Sequence, residues 1–446
     1  MAEKHINHEL SPMECPHKLE DVDLFGPGAQ EHWYDAYPIL HEHAPVLRIP
    51  GEGYAPGTDG YILSKYEDIS MVVKDPVRFP ATLSFALEDY SDDEIQGTEE
   101  KPPLNAMQIS IRSLRPNVEL WRAHRQELTD PWVGPGASRH KDMITEMADR
   151  LIANWIDRSK DGQMGEVEFV NEFARPLPQM VMANVLGFPL EDLDKLERWG
   201  SAQVKQFVYG RGHRNELTRD EINEQFKELA GFDAYVRNMV KEKRANPQDD
   251  MISFLCDVTY KALDRKLTDE EVVGVVYAMV IGGLETTQYA IAEQAQLLIE
   301  NPGLWEAIKE DRSKIRPFTE EAMRVRAPTQ GLSTRITSQD EEFQGVKVPK
   351  GSLLHMRWAA GNLDPDEYEC PYEVKLDRKP VSKHLTFSQG PRTCPGNGIS
   401  RVEQQIAWER LLDNLEKIEY APGNKFLHQP GIMLGTLELK LKFQRA

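Results

Sequence analysis

The segment LTDEEVVGVVYAMVIGGLETTQYAIAEQAQLLIEN, Leu267 to Asn301, constrains this chain more than any other stretch. It opens with a capping box, Thr268 and Glu271, in which each side chain satisfies a backbone donor at the other. Beyond that it is apolar on nearly every side, so the helix it forms belongs in the middle of the molecule. Two features break the pattern. Gly282-Gly283 costs roughly 2 kcal/mol of helix propensity relative to alanines. Directly after it, Glu285, Thr286 and Thr287 set an acid and two hydroxyls among apolar residues. Threonine can bond back to the carbonyl four residues earlier and bend the helix. Two readings stand at this point. One is a packing glycine pair beside a solvated polar turn. The other is a helix opened so that a small ligand reaches the backbone, with Glu285 and Thr286 passing protons to it.

The rest of the chain surrounds this element with more helix. From Arg139 to Glu310 most segments carry helical periodicity, as in MITEMADRLIANWID and EQFKELAGFDAYVRNMVKEKR. GYILSKYEDISMVVKDPVRF reads as a strand, a helix and a stop at Asp75-Pro76. Short β-rich pieces follow Pro328. The acidic run EDYSDDEIQGTEE is a solvated loop. No repeat and no Gly/Ser- or Pro-rich linker divides the chain, so the expectation is one mainly α (α+β) domain over residues 1–446, with 1–20 a flexible N-terminus. The net charge of −20 speaks against a nucleic-acid partner, which requires concentrated Lys and Arg. No apolar run is long enough to span a bilayer, so no membrane anchor is expected. The start lacks a basic region followed by an apolar stretch, which points to the cytoplasm.

Of four cysteines, Cys15, Cys256, Cys370 and Cys394, none forms a CxxC pair. Cys394 stands in FSQGPRTCPGNG, a loop of glycines and prolines with Arg392 two residues ahead. FTEEAMRVRAP places Glu321 and Arg324 at i, i+3 on a helix that Pro328 must end. Arg335 falls on a strand, and Trp121 and Arg125 share one helix face. Each is ordinarily structural; together with Arg392 they form a set suited to a dianionic ligand.

These pieces resemble one family. Phe387, Gly390, Arg392, Cys394 and Gly396 fill every defined position of the FxxGxRxCxG haem-ligand loop of the cytochrome P450 superfamily. Glu321-x-x-Arg324 is similar to its ExxR, Gly282 to Thr287 to its central-helix (A/G)Gx(D/E)T(T/S), and Trp121-x-x-x-Arg125 to its WxxxR. Within the superfamily the C-terminal third resembles the camphor hydroxylase group of soluble bacterial enzymes. The resemblance implies a helical triangular prism with small β-sheets, binding haem b (iron protoporphyrin IX). Cys394 would be the axial thiolate, and Trp121, Arg125, Arg335 and Arg392 would hold the propionates. Glu285 and Thr286 would deliver protons, and Glu321 and Arg324 would brace the core.

The activity implied is insertion of one oxygen atom of O2 into a small to medium hydrophobic substrate, terpenoid-like or aromatic. The chain shows no flavin or iron–sulfur segment, so electrons are expected from a ferredoxin and its NAD(P)H-dependent reductase, with the enzyme a monomer. Arg122, Arg125 and Arg401 are candidate cations for the ferredoxin. The pocket is expected from Ala278, Ile281, Gly282 and Glu285, from Gly331, Leu332 and Ser333, and from Ile432 and Met433. Arg211, His213 and Arg214 are read as a solvated loop or lid.

Pro395 departs from the family, which often carries an aliphatic residue there. Proline offers no N–H to the sulfur. We therefore expect a lower haem potential than in Pro395→Leu; equal potentials in a redox titration would sink that expectation. Three rival readings remain. A peroxide-driven haem-thiolate enzyme, or a non-catalytic haem sensor, would have no need of the Glu285–Thr286 pair. A zinc module of His5, His8, Cys15 and His17 fits no compact zinc spacing.

Overall fold

The computed structural model describes residues 13–98, 103–208, 210–211, 214–215, 217–331 and 333–446. His213 and Leu332, both singled out above, lie outside the described residues, as do His5 and His8. Residues 1–12 of the expected flexible terminus also lie outside them. From Met13 onward the chain packs, with Met13, Leu19 and Val22 resting on the buried cluster of Trp33, Tyr37 and Leu40.

The apolar segment does form the central element, and it is split. One helix runs Asp269–Gly283 from the Thr268/Glu271 capping box, and a second runs Thr286–Glu300. Ala106–Leu114 lies directly on the first half. That approach needs Gly274, where a Cβ would sit 2.2 Å from the Ala106 carbonyl oxygen. Helices Lys141–Ala153, Pro176–Leu186, Arg219–Ala245 and Asn397–Asn414 are among those around it, and all four contribute to one large apolar core.

Small sheets flank the helices. Val46–Ile49, Gly60–Leu63, Leu353–Met356 and Thr334–Ile336 form a four-stranded sheet in that order, with the two central strands parallel. A three-stranded sheet joins Leu415–Tyr420, Lys440–Arg445 and Gly165–Glu168. The strand, helix and stop read at Gly60–Pro76 occur as Gly60–Leu63 and Tyr66–Lys74. The acidic run is not wholly loop: a helix spans Thr82–Glu88 and a short 3-10 turn Asp92–Glu94, capped by Ser91. Among the described residues no helix is long and apolar enough to cross a membrane.

Candidate active site

The split in the central helix comes from three adjacent choices. Thr286 Oγ1 donates to the Gly282 carbonyl oxygen at 2.9 Å, the back-bond that competes with the helix ladder. A Cβ on Gly282 would meet nothing within 4 Å, so the most apolar helix of the chain turns an exposed glycine toward an open space. Gly283 instead faces Met182, at 2.8 Å from a hypothetical Cβ. One glycine of the pair serves packing and the other leaves room.

Glu285 sits in the break. Burial raises its pKa, against a hydrogen bond from Tyr289 and the charge of Arg175. The Tyr289 hydroxyl donates to Glu285 Oε2 at 3.0 Å, and Arg175 pairs with Glu197 at 3.2 Å at the molecule's edge. Tyr289 also belongs to a small apolar cluster with Ile432, Met433 and Ile281. The C-terminal turn reaches that cluster because it is stitched to the segment after Pro328. Gln330 N donates to Ile432 O at 2.9 Å, and Leu434 N to Pro328 O at 2.8 Å. Gly331 and Ser333 therefore share this side of the molecule with Ile432 and Met433, and Ala278 and Ile281 are half-buried on the central helix.

The Cys394 loop is pinned from several directions. Gly390 has φ of +72°, and a Cβ there would meet the Val73 carbonyl oxygen at 2.7 Å, so both backbone conformation and space demand glycine. Cys394 N donates to Phe387 O at 2.8 Å. Asn397 Nδ2 donates to Cys394 O at 2.5 Å. Arg125 donates to the Cys394 and Thr393 carbonyl oxygens. Burial pushes the Cys394 thiol up, while the Gly396 N–H, the charges of Arg125 and Arg401 and the Asn397 N–H favour the thiolate. Pro395 contributes no donor, and the two N–H groups that follow it do.

Arg115 feels the charges of Arg392 and Arg125, and Arg335 that of Arg392, so the four lie near one another; Arg125, expected at the propionates, has its guanidinium on the loop carbonyls. Burial lowers Arg115 to about 9, helped by the charges of Arg392 and Arg125. Burial and Arg392 lower Arg335 to about 9, and burial lowers Arg392 to about 10. Trp121 is sandwiched, with the Arg115 guanidinium 4.3 Å and the Arg392 guanidinium 4.2 Å from the ring centre. Trp121 Nε1, Arg115 Nε and His124 Nε2 are buried and have no hydrogen-bond partner. Among the described residues no carboxylate acts on Arg115, Arg335 or Arg392, whereas Arg125 feels the charge of Asp130. Three desolvated cations without an anion, and an orphaned indole N–H, are costly unless an anion completes the set. The donor set fits the two carboxylates of a haem, with the Cys394 sulfur available to its iron.

Glu321 and Arg324 lie together and fully buried, with Nε to Oε1 at 2.8 Å. Arg401, offered above as a surface cation, is instead committed to the buried Glu320 at 2.5 Å. Burial opposes the charge of Glu320, but His384 and Arg401 hold it down to about 2. Arg125 turns inward to the loop carbonyls. Lys74 and Arg122 are left as exposed cations on the cleft beside Gly390 and Thr393.

Sequence reasoning missed Arg115, His124 and Tyr289. The available signal for Tyr289 was its place four residues after Glu285, one helical turn on. Arg115 follows the end of its helix, where periodicity gives no direction.

The cytochrome P450 family model matches residues 85–443. The biotin biosynthesis cytochrome P450 of Bacillus subtilis (strain 168) is 30% identical over 279 residues, covering 62% of this chain and 68% of its own length. A steroid C26-monooxygenase of Mycobacterium tuberculosis (strain CDC 1551 / Oshkosh) is 28% identical over 284 residues, 64% of this chain and 72% of its own. Among solved structures, the bacillaene polyketide synthase cytochrome P450 PksS of Bacillus subtilis 168 superposes with a TM-score of 0.78 at 19% identity, over 95% of this chain and 100% of that one.

Proposed function

The chain belongs to the cytochrome P450 family of haem-thiolate, oxygen-incorporating oxidoreductases, and from that premise we propose a monooxygenase for small to medium hydrophobic substrates, terpenoid-like or aromatic. Its cofactor in this reading is haem b, and its electrons come from a ferredoxin and an NAD(P)H-dependent reductase. The observation that carries the site assignment is the set of Arg115, Arg335 and Arg392, buried with no carboxylate acting on them, beside Trp121 and the Cys394 loop that Arg125 holds. Bound there, a haem with a thiolate ligand supplies O2 activation, because the thiolate pushes electron density onto iron and favours O–O cleavage.

The protein's own residues then have three tasks. Cys394 provides the thiolate, and its loop carbonyls are held by Arg125. Arg335, Arg392 and the Trp121 N–H orient the propionates, with Arg115 a fourth candidate. Thr286 and Glu285 manage protons at the break in the central helix. Thr286 spends its hydroxyl proton on Gly282 O, which leaves its oxygen as an acceptor facing the opening. Glu285, with its pKa raised by burial, retains a proton more readily than an exposed glutamate, and the Arg175–Glu197 pair at the molecule's edge acts on it through its charges.

Apolar and small side chains support a hydrophobic ligand: Ala278, Ile281 and Gly282 on the helix, Gly331 and Ser333 opposite, Ile432 and Met433 at the turn. Leu332, placed with them by sequence, stays part of the proposal on position alone. For the electron donor, the exposed Lys74 and Arg122 beside the thiol loop suit an acidic protein surface.

The test has two stages. Terpenoids, aromatics and steroids are scored by the low- to high-spin shift they cause, steroids included because one relative is a steroid monooxygenase. With the best ligand, Thr286→Ala is expected to keep consuming O2 while product per NAD(P)H falls about 10-fold or more, the missing electrons appearing as hydrogen peroxide. Tightly coupled product formation in the variant would overturn the proton assignment.

A further inference from the structure

A second group of ligating side chains lies away from the thiol loop and has no part in the chemistry above. Cys15 belongs to the N-terminal segment. His32 joins the 3-10 turn Ala29–Glu31 to the helix Trp33–His43, and Asp35 stands in that helix's first turn. One ligand atom from each, the Cys15 sulfur, a His32 ring nitrogen and an Asp35 carboxylate oxygen, lies within 4.8 Å of the others.

The orientation of the imidazole is what distinguishes this group from a chance cluster. The His32 ring is buried, and its Nε2 lies 2.8 Å from the Met13 carbonyl oxygen. A carbonyl only accepts, so in the neutral ring Nε2 carries the proton and Nδ1 the lone pair. Metal-ligating histidines are held in this manner, with the far nitrogen donating to a backbone carbonyl or carboxylate. Nδ1 faces Asp35 Oδ2 at 3.7 Å. For a tetrahedral ion with bonds of about 2.0–2.1 Å to both atoms, that separation is about 3.3 Å, and from nitrogen to a thiolate sulfur about 3.6 Å. The nitrogen–oxygen edge is therefore within a few tenths of an ångström of its ligated length. The sulfur, on the partly exposed N-terminal segment, lies within 4.8 Å of both atoms.

We propose that Cys15, His32 and Asp35 bind one Zn2+ ion, with water as fourth ligand, fastening the N-terminal segment to the helix Trp33–His43. The donor set is one soft sulfur, one imidazole and one carboxylate, which suits zinc and disfavours magnesium or calcium. The open position faces solvent on the side of Asp35, whose side chain is 40% exposed. Binding exchanges the thiol proton for the metal: the S–H bond is lost, a sulfur–zinc bond forms, the proton passes to solvent, and no oxidation state changes. The reading by local spacing grouped Cys15 with His5, His8 and His17; among the described residues the fold groups it with His32 and Asp35.

The experiment uses the full-length, haem-containing protein, dialysed against a chelator and then against zinc sulfate followed by metal-free buffer. Elemental analysis is expected to give one zinc per chain, and X-ray absorption at the zinc edge a single sulfur neighbour at about 2.3 Å. Cys15→Ser and Asp35→Asn are each expected to weaken zinc binding at least about 10-fold, read by competition with a fluorescent indicator. Asp35→Asn changes a half-exposed side chain, and an unaltered haem spectrum verifies that it folds. Cys370→Ser and His17→Gln are expected to leave zinc affinity unchanged. Failure to retain zinc, zinc that persists in both Cys15→Ser and Asp35→Asn, or zinc lost with His17→Gln would each overturn the assignment. The outcome is independent of the haem-site reading, because no residue of that site is altered.

Discussion

Cys394→Ser is expected to abolish the strongly red-shifted Soret band of the dithionite-reduced, carbon monoxide-treated protein while haem remains bound. The loop's shape does not depend on the sulfur. Cys394 N to Phe387 O and Asn397 Nδ2 to Cys394 O are bonds to the backbone of residue 394 and survive the substitution. So does the grip of Arg125 on the carbonyls of residues 393 and 394. The difference is electronic. Burial raises the thiol, and the Gly396 and Asn397 N–H groups and two arginines offset part of that cost to its anion. A serine hydroxyl starts far less acidic and stays protonated in the same field. Loss of the anionic donor is expected to cost oxygen insertion at least about 4 kcal/mol of barrier lowering, roughly a thousandfold. The other cysteines supply the counter-outcome. Cys256 is buried, its thiol pushed up to about 11 chiefly by burial, and Cys370 is exposed. A red-shifted band that persists in Cys394→Ser but disappears with one of those two would move the ligand there.

The features legible in sequence were those written locally. The capping box, the apolar surround and the Gly-Gly-x-acid-Thr-Thr run lie within one segment, so the split helix and its back-bond were one of the two readings the local sequence left open. The Cys394 loop was legible for the same reason. What sequence could not supply was direction after a turn and pairing across long separations. Arg125 begins a π-helical turn, Arg125–Thr129, which redirects the helix path at that residue. Its guanidinium ends on the loop carbonyls, although helix-face reasoning left it equally suited to the surface. Arg401 lies one helical turn beyond Asn397, where an exposed position is equally plausible; its partner Glu320 is remote in the chain and leaves no local trace. Cys15 was read against nearby histidines because metal patterns are searched by spacing. The helix boundary at His32 brings in an imidazole and a carboxylate that no short pattern contains. In each case the missing information is the path of the chain between elements, and side-chain chemistry alone does not encode it.

Arg324→Ala is expected to be the most destabilising single change outside the apolar core, at about 3–5 kcal/mol. Glu321 and Arg324 have side chains only 1% and 2% exposed, so neither charge has water to fall back on. Burial would raise Glu321, yet Arg324, the Lys375 N–H and Arg378 outweigh it and hold the carboxyl below its usual range. Arg324 places donors on five acceptors: both Glu321 oxygens and the carbonyls of Asn362, Pro371 and Glu373. The last three belong to the chain leading into the Cys394 loop, so the guanidinium ties that approach to the helix Ile315–Val325. Replacing a buried ion pair by apolar residues is often nearly neutral, but only where no third group loses its partner. Here three carbonyl oxygens do, each at about 1–3 kcal/mol if left unsatisfied. The double variant Glu321→Leu/Arg324→Met is therefore expected to remain clearly destabilised, and Arg324→Lys to rescue little, because one ammonium cannot span five acceptors. Against a total stability of about 5–15 kcal/mol, Arg324→Ala should yield protein that retains haem poorly and unfolds at much lower urea. A urea midpoint within error of wild type, with full haem content, would show that the loop approach is held by other contacts.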